Sequence, residues 1–309
     1  MKNEPRSIAL VCLAVIAGIG ALTAGCGERQ ESTSYYYRPS WTRGGSVVLI
    51  KGLQTVRKDA IGTELGSSYT ETLITSDAAG ASESALLDAT DSLPYAVSAA
   101  PAGDYLVYLD GTSLRGTLFS RAIVVSIAGG SNTRMEKSEF TFSPGIKAID
   151  WNNLGTKLVY CTSTEVRTIN LDGTGDTAIV TGGTGISFVT WKYGAQVAYV
   201  HTVAAVPTLS LLNGDGTGTA TNLPAAAFLD KPQIDPNNNK IIWGLSGTSF
   251  CSADATVPAT AVTVEALANC QASLPRLNPA GTKVAYSKTG ESTGVYLLDL
   301  ATKTETKIL

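Results

Sequence analysis

The chain has 309 residues and a single histidine, His201, in "AYVHTV". Metal-dependent hydrolysis or lyase chemistry needs clustered imidazoles and carboxylates, and a Ser/His/Asp relay needs a histidine beside an exposed nucleophile. No G-x-S-x-G elbow accompanies it. A lone histidine closing an apolar run therefore reads as a packed or surface residue. "GTGDTA" (173–178) spells a dinucleotide fingerprint, yet "IVTGG" follows it. No helix N-terminus is on offer to hold a pyrophosphate. "NGDGTG" (213–218) spaces its oxygens like a calcium loop but has no acidic residue at the loop's end. Both stretches are expected to be strand-connecting turns, with calcium at the second as the lesser alternative. No catalytic residue, metal ligand or cofactor is expected.

Cysteine is the other reactive side chain. Cys161, Cys251 and Cys270 lie beyond the N-terminal region, an odd number for an oxidising compartment. Cys251 and Cys270 are expected on adjacent outer strands of one repeat, where a bridge stabilises by roughly 3 kcal/mol on the chain-entropy account. Cys161 follows an inner-strand tyrosine and reads as a buried thiol.

The N-terminus carries an address. Lys2 and Arg6 precede the uncharged run Ser7 to Gly25, and Cys26 comes next, followed by polar residues. A positively flanked apolar stretch ending in small residues is an export signal, with a membrane-spanning anchor as the rival reading. "LTAGC" at 22–26 resembles the lipobox of bacterial lipoproteins. That resemblance implies a cleaved signal over 1–25 and a lipid on Cys26, with Thr23 standing where leucine is commoner. Residues 26–37 are then a short tether. Gly27 after the cysteine implies release to the outer membrane in envelopes of the enteric type.

The rest of the chain repeats. "GTKVAYS" at 281–287 has counterparts starting at 45, 103, 155, 194 and 238, and the sixth residue of each copy is Ile50, Tyr108, Tyr160, Tyr199, Trp243 or Tyr286. Spacings of 39 to 58 residues fall in the range of propeller repeats. Upstream of each turn stands an apolar marker such as Trp41, Trp151, Trp191, Ile234 or Leu277. The core segments "VVLI", "YLVYL", "KLVYC" and "KVAY" are apolar without alternation. Strands of that kind are buried on both faces, as in a blade between two neighbours. The expected fold is all-β, a six-bladed β-propeller of four-stranded antiparallel blades over 38–309, preceded by a cleavable signal segment.

"PRLNPAGTKVAY" (275–286) and "PQIDPNNNKIIW" (232–243) resemble the WD40-like repeat of TolB-type propellers. Two departures limit what that implies. The family's Asp before the turn Gly is replaced by Gly44, Ala102, Leu154, Tyr193, Asn237 and Ala280. TolB proteins also carry an α/β domain ahead of the propeller, for which there is no room between Cys26 and the first strand. The resemblance implies the fold and not the envelope-tethering role.

A net charge of −3 with dispersed Lys and Arg offers no footprint for nucleic acid. The second turn of each blade varies most in length, as in 51–68, 110–120, 201–207 and 287–294. Solvated, variable loops are where binding groups concentrate. Arg57, Lys58, Asp110, Arg115, His201 and Lys288 on that end are the candidate partner-binding residues, the alternative being ordinary solvated loops. The functional expectation is a non-enzymatic cell-envelope lipoprotein that binds a protein or peptide and meets the membrane through lipid on Cys26. A glycan lyase or lactonase, or a self-associating surface lipoprotein, are the alternatives.

Overall fold

A computed structural model describes residues 28–80, 82–86, 96–101, 105–110, 118–126, 135–191, 196–223, 233–234, 240–246, 249–254, 263–266, 276–288 and 294–309. The lipobox, Cys26 and Cys270 lie outside these residues, and Cys251 is described by its backbone only.

The strands fall into four-stranded antiparallel sheets, each written by consecutive strands. The first holds β1 (Arg29–Trp41), β2 (Val47–Lys58), β3 (Glu64–Ser76) and β4 (Glu83–Ala85). The second holds β5 (Ala96–Ala99), β6 (Tyr105–Asp110), β7 (Phe119–Ser126) and β8 (Met135–Ile146). The third holds β9 (Ala148–Trp151), β10 (Lys157–Cys161), β11 (Val166–Asn170) and β12 (Thr177–Val180). The fourth holds β13 (Phe188–Trp191), β14 (Gln196–Val203), β15 (Val206–Asn213) and β16 (Thr221–Leu223). In the fifth, β17 (Gln233–Ile234), β18 (Lys240–Ser246), β19 (Ser249–Asp254) and β20 (Thr263–Ala266) are known by backbone alone. The sixth holds β21 (Arg276–Leu277), β22 (Lys283–Lys288), β23 (Gly294–Asp299) and β24 (Glu305–Lys307). Every repeat marker of the "GTKVAYS" type opens or leads into the second strand of its sheet.

The apolar clusters lie between sheets, which is what makes the fold a propeller. Val48 and Ile50 of β2 join Leu106, Tyr108 and Ile123 of the second sheet. The alternate residues Val47 and Leu49 join Ala285, Val295 and Leu297 of the sixth. One strand thus supplies two cores, so its sequence cannot alternate. Val107 and Leu109 pack with Trp151 and Leu158 of the third sheet, and Val159 and Cys161 pack with the fourth. The first and last sheets meet through side chains, with no strand exchanged between them. Gly80, at φ 72°, sits in this seam, where an added Cβ would run into the Ile308 backbone.

Turns are held by short polar side chains. Asn152 Oδ1 accepts from the Thr156 and Lys157 amides at 2.8 and 3.0 Å. Asn278 does the same for Thr282 and Lys283 at 2.8 and 2.9 Å. In both turns the Asn stands three residues before the turn glycine, Gly155 or Gly281. "GTGDTA" and "NGDGTG" belong to third turns of one design: Asp172 and Asp215 each accept from the amide and hydroxyl of the Thr two residues on, at 2.9 and 2.7 Å. The Asp215 carboxylate is thereby engaged in its own turn, and the hydroxyl and amide of Thr217 hold it below the usual carboxylate range.

Among the described residues, three blades carry a clasp across their strands, built from a tyrosine, an acid and a base. Tyr160 donates to Asp176 at 2.9 Å while Arg167 Nε donates to the same carboxylate at 3.0 Å. Tyr36, Glu83 and Lys51 form the same trio in the first sheet, and Tyr286, Glu305 and Lys288 form it in the sixth.

The first sheet departs from the expected layout. Residues 29–37, expected as tether, are the start of β1, and the expected 51–68 loop is a β-hairpin. β1 pairs with β2 from Arg29↔Lys58 to Trp41↔Val47, and β2 pairs with β3 as far as Lys58↔Glu64. The outcome is a three-stranded tongue that continues the blade past the ring.

Candidate functional site

The first strands of the sheets surround the axis, and among the described side chains the residue just before the apolar marker, Ala99 being the marker of the second sheet, faces one mouth of the channel. These residues are Ser40, Ser98, Asp150, Thr190 and Arg276, and together with Trp41, Trp151 and Trp191 they line an opening of about 70 Å³ continuous with solvent. Pro101, Asn153 and Pro279 rim it, which places the mouth at the end where the first turns lie.

Neighbouring blades are stitched together there. Asp150 accepts from Ser98 Oγ of the preceding blade at 2.7 Å. It also accepts from Thr190 Oγ1 at 2.5 Å and the Trp191 amide at 3.2 Å in the next. Ser40 Oγ accepts from the Ala99 amide at 3.0 Å by the same rule. Indoles reach the opposite way, Trp151 Nε1 donating to the Ser98 carbonyl and Trp41 Nε1 to the Arg276 carbonyl, both at 2.9 Å. Trp191 Nε1 is buried and has no partner among the described residues. Its hairpin is one residue tighter than the others: Trp191 pairs with Val197, while Trp151 pairs with Leu158.

The mouth offers one carboxylate, one guanidinium, hydroxyls and indoles. Of these, Asp150 is the carboxylate of the segment "KAIDW" (147–151), one position before the marker Trp151. The signal for the rest was present, since each precedes its apolar marker by one position.

The candidate partner-binding residues are not gathered. Arg57 and Lys58 lie at the far end of the tongue, paired with Glu28 at 3.8 Å and Glu31 at 2.6 Å. Asp110 ends β6 opposite Arg121 in the ladder, its side chain outside the described residues, as is all of Arg115. Lys288 is buried in the sixth blade, 2.5 Å from Glu305 and 4.3 Å above the Tyr296 ring. His201 Nε2 lies 2.7 Å from Ser210 Oγ, which in turn donates to Asn222 Oδ1 at 2.6 Å. With the serine proton committed to Asn222, Nε2 carries the hydrogen and donates. That is the reverse of a base activating a nucleophile, and Ser210 is fully buried. Burial also holds the imidazole below its usual range. Cys161 is a buried thiol, as expected. Among the described residues no three His, Cys, Asp or Glu side chains converge as metal ligands.

No protein family matches the sequence, and no curated protein does. Solved structures share the fold. TolB from Acinetobacter baumannii is 12% identical with a TM-score of 0.59, over 98% of this chain and 84% of that one. Sqt1 from Chaetomium thermophilum is 11% identical with a TM-score of 0.52, over 87% and 83%. Sqt1 from Saccharomyces cerevisiae is 11% identical at 0.50, over 90% and 86%. The chain is therefore an all-β propeller of four-stranded antiparallel blades with TolB-like and WD40-like architecture. At these identities the likeness is one of fold.

Proposed function

We propose that the protein is a non-enzymatic binding module of the bacterial cell envelope, closed as a ring of six blades and lipidated on Cys26. Its channel mouth takes an extended peptide or loop of a protein partner. The observation that carries this reading is the composition of the mouth: Asp150, Arg276, hydroxyls and indoles together line one opening. A peptide presents amides, carbonyls and alternating side chains to such a surface. The TolB and Sqt1 propellers supply a fold precedent only.

The lipobox-like "LTAGC" supports anchoring, and mass spectrometry of the mature N-terminus tests it: a diacylglyceryl Cys26 is expected, and label persisting in Cys26→Ser defeats it. Binding is tested by placing a photo-crosslinking side chain at Asn153 on the mouth rim or at Val206, which is 49% exposed at the start of β15 at the other end. A discrete adduct from Asn153 alone is expected. An adduct from Val206 alone moves recognition to the second-turn end, where Arg57, Lys58 and His201 lie.

A further inference from the structure

The tongue ends in an exposed apolar tip beside the point where the apolar N-terminal segment leaves the described fold. Ile61, in the β2–β3 turn, is 89% exposed, and Leu65, near the start of β3, is 43% exposed. The turn is firmly shaped. Asp59 Oδ1 accepts from the Ile61 and Thr63 amides at 3.0 and 2.8 Å, and Gly62 takes φ 92°. Such a turn presents Ile61 on a fixed support instead of leaving it to fold back over the sheet.

The first described residue, Glu28, reaches the same end, its carboxylate lying 3.8 Å from Arg57. Only Gly27 separates it from Cys26. Whether the segment before Glu28 ends as a lipid on Cys26 or stays as an apolar anchor over Ser7 to Gly25, it meets the bilayer beside Ile61. Twelve residue steps along β1 separate Arg29 from Trp41, roughly 40 Å at the rise of a β-strand. Trp41 lines the channel mouth.

We propose that the far end of the tongue is a membrane foot, with Ile61 seated in the phospholipid headgroup region and the channel mouth held on the opposite face, turned away from the bilayer. The inference rests on the anchoring part of the proposed function. The cations at the tip are each matched by an acid beside them, Arg29 and Lys58 both reaching Glu31 and Arg57 reaching Glu28. Seating is therefore apolar and indifferent to anionic lipid.

The test uses the full chain, membrane-attached, in vesicles of phosphatidylethanolamine with or without phosphatidylglycerol. A nitroxide is placed at Ile61→Cys or at Leu154→Cys, the latter in the exposed β9–β10 turn at the mouth end, and unsubstituted protein labelled in parallel supplies the cysteine background. The Ile61 label is expected to be relaxed by oxygen and shielded from a water-soluble nickel chelate in both lipid mixtures, and the Leu154 label to show the reverse. A chain that stays with the membrane but leaves the Ile61 label open to nickel overturns the foot alone. Shielding that appears only with phosphatidylglycerol overturns apolar seating. A chain recovered with the soluble proteins overturns the anchoring itself.

Discussion

The Trp41 indole donates to the main-chain carbonyl of Arg276 at 2.9 Å across 235 residues of sequence. This bond joins the first blade to the last inside a buried seam, where Trp41 packs with Val47, Ala285 and Leu297. Trp41→Phe keeps most of the apolar contact and removes the donor. A buried carbonyl left without its partner costs about 1–3 kcal/mol. A fall in melting temperature is expected, together with faster amide exchange in β1 and β22. Unchanged exchange at both strands would show that the ring closes without this bond.

Asp150 ties three blades through Ser98, Thr190 and the Trp191 amide. Asp150→Ala strands those donors, and a loss of about 2–3 kcal/mol is expected from denaturant unfolding. Asp150→Asn, which retains one acceptor oxygen, is expected to lose less. Equal losses in the two variants would mean that the carboxylate acts by charge and not as a shared acceptor.

Tyr160 supplies a pH signature. Burial, with the neighbouring Asp176 carboxylate second, pushes its phenol up to about 12, against roughly 10 when unfolded. A raised folded-state value means the stabilisation is whole below the unfolded value and is lost as pH rises through the folded one. The chain is expected to lose stability between about pH 10 and 12 beyond what Tyr160→Phe loses over the same window. Thermal melts of the two proteins compared across that window check it; parallel curves would remove Tyr160 as the source.

Cys251 lies on β19 opposite Val264 of β20, and Cys270 follows four residues after β20 ends. Non-reducing peptide mapping is expected to link Cys251 to Cys270 and to leave Cys161 out of any bridge. A Cys161 crosslink to either would require its fully buried position between the third and fourth blades to open.

The second strands were legible because each is packed between two apolar layers, so "KLVYC" and "KVAY" announce themselves without alternation. The first turns were legible from Gly and Pro. The tongue was not. "RQESTSYYY" and "LQTVRK" are mostly polar because water reaches both faces of a sheet that projects beyond the ring, and a strand with two wet faces has no hydrophobic period to read. Its existence is written in pairing between β1, β2 and β3, a non-local property. The mouth was half legible: Asp150 is a carboxylate set directly before the apolar marker Trp151. Ser40 and Arg276 are marked only by standing one position before an apolar marker, and that position gains meaning only when the first strands are brought side by side.

The tongue also decides how the molecule bears a mechanical load. A chain held at Glu28 and tugged at the mouth is pulled along the axis of β1. The antiparallel bonds from Arg29↔Lys58 to Trp41↔Val47 run across that axis. Such a pull strains the ladder in shear, all its rungs together, instead of unzipping them one at a time from the end. A partner tugging from outside would therefore meet its stiffest resistance in the strand nearest the anchor, and force spectroscopy should find the blades giving way before the stalk does.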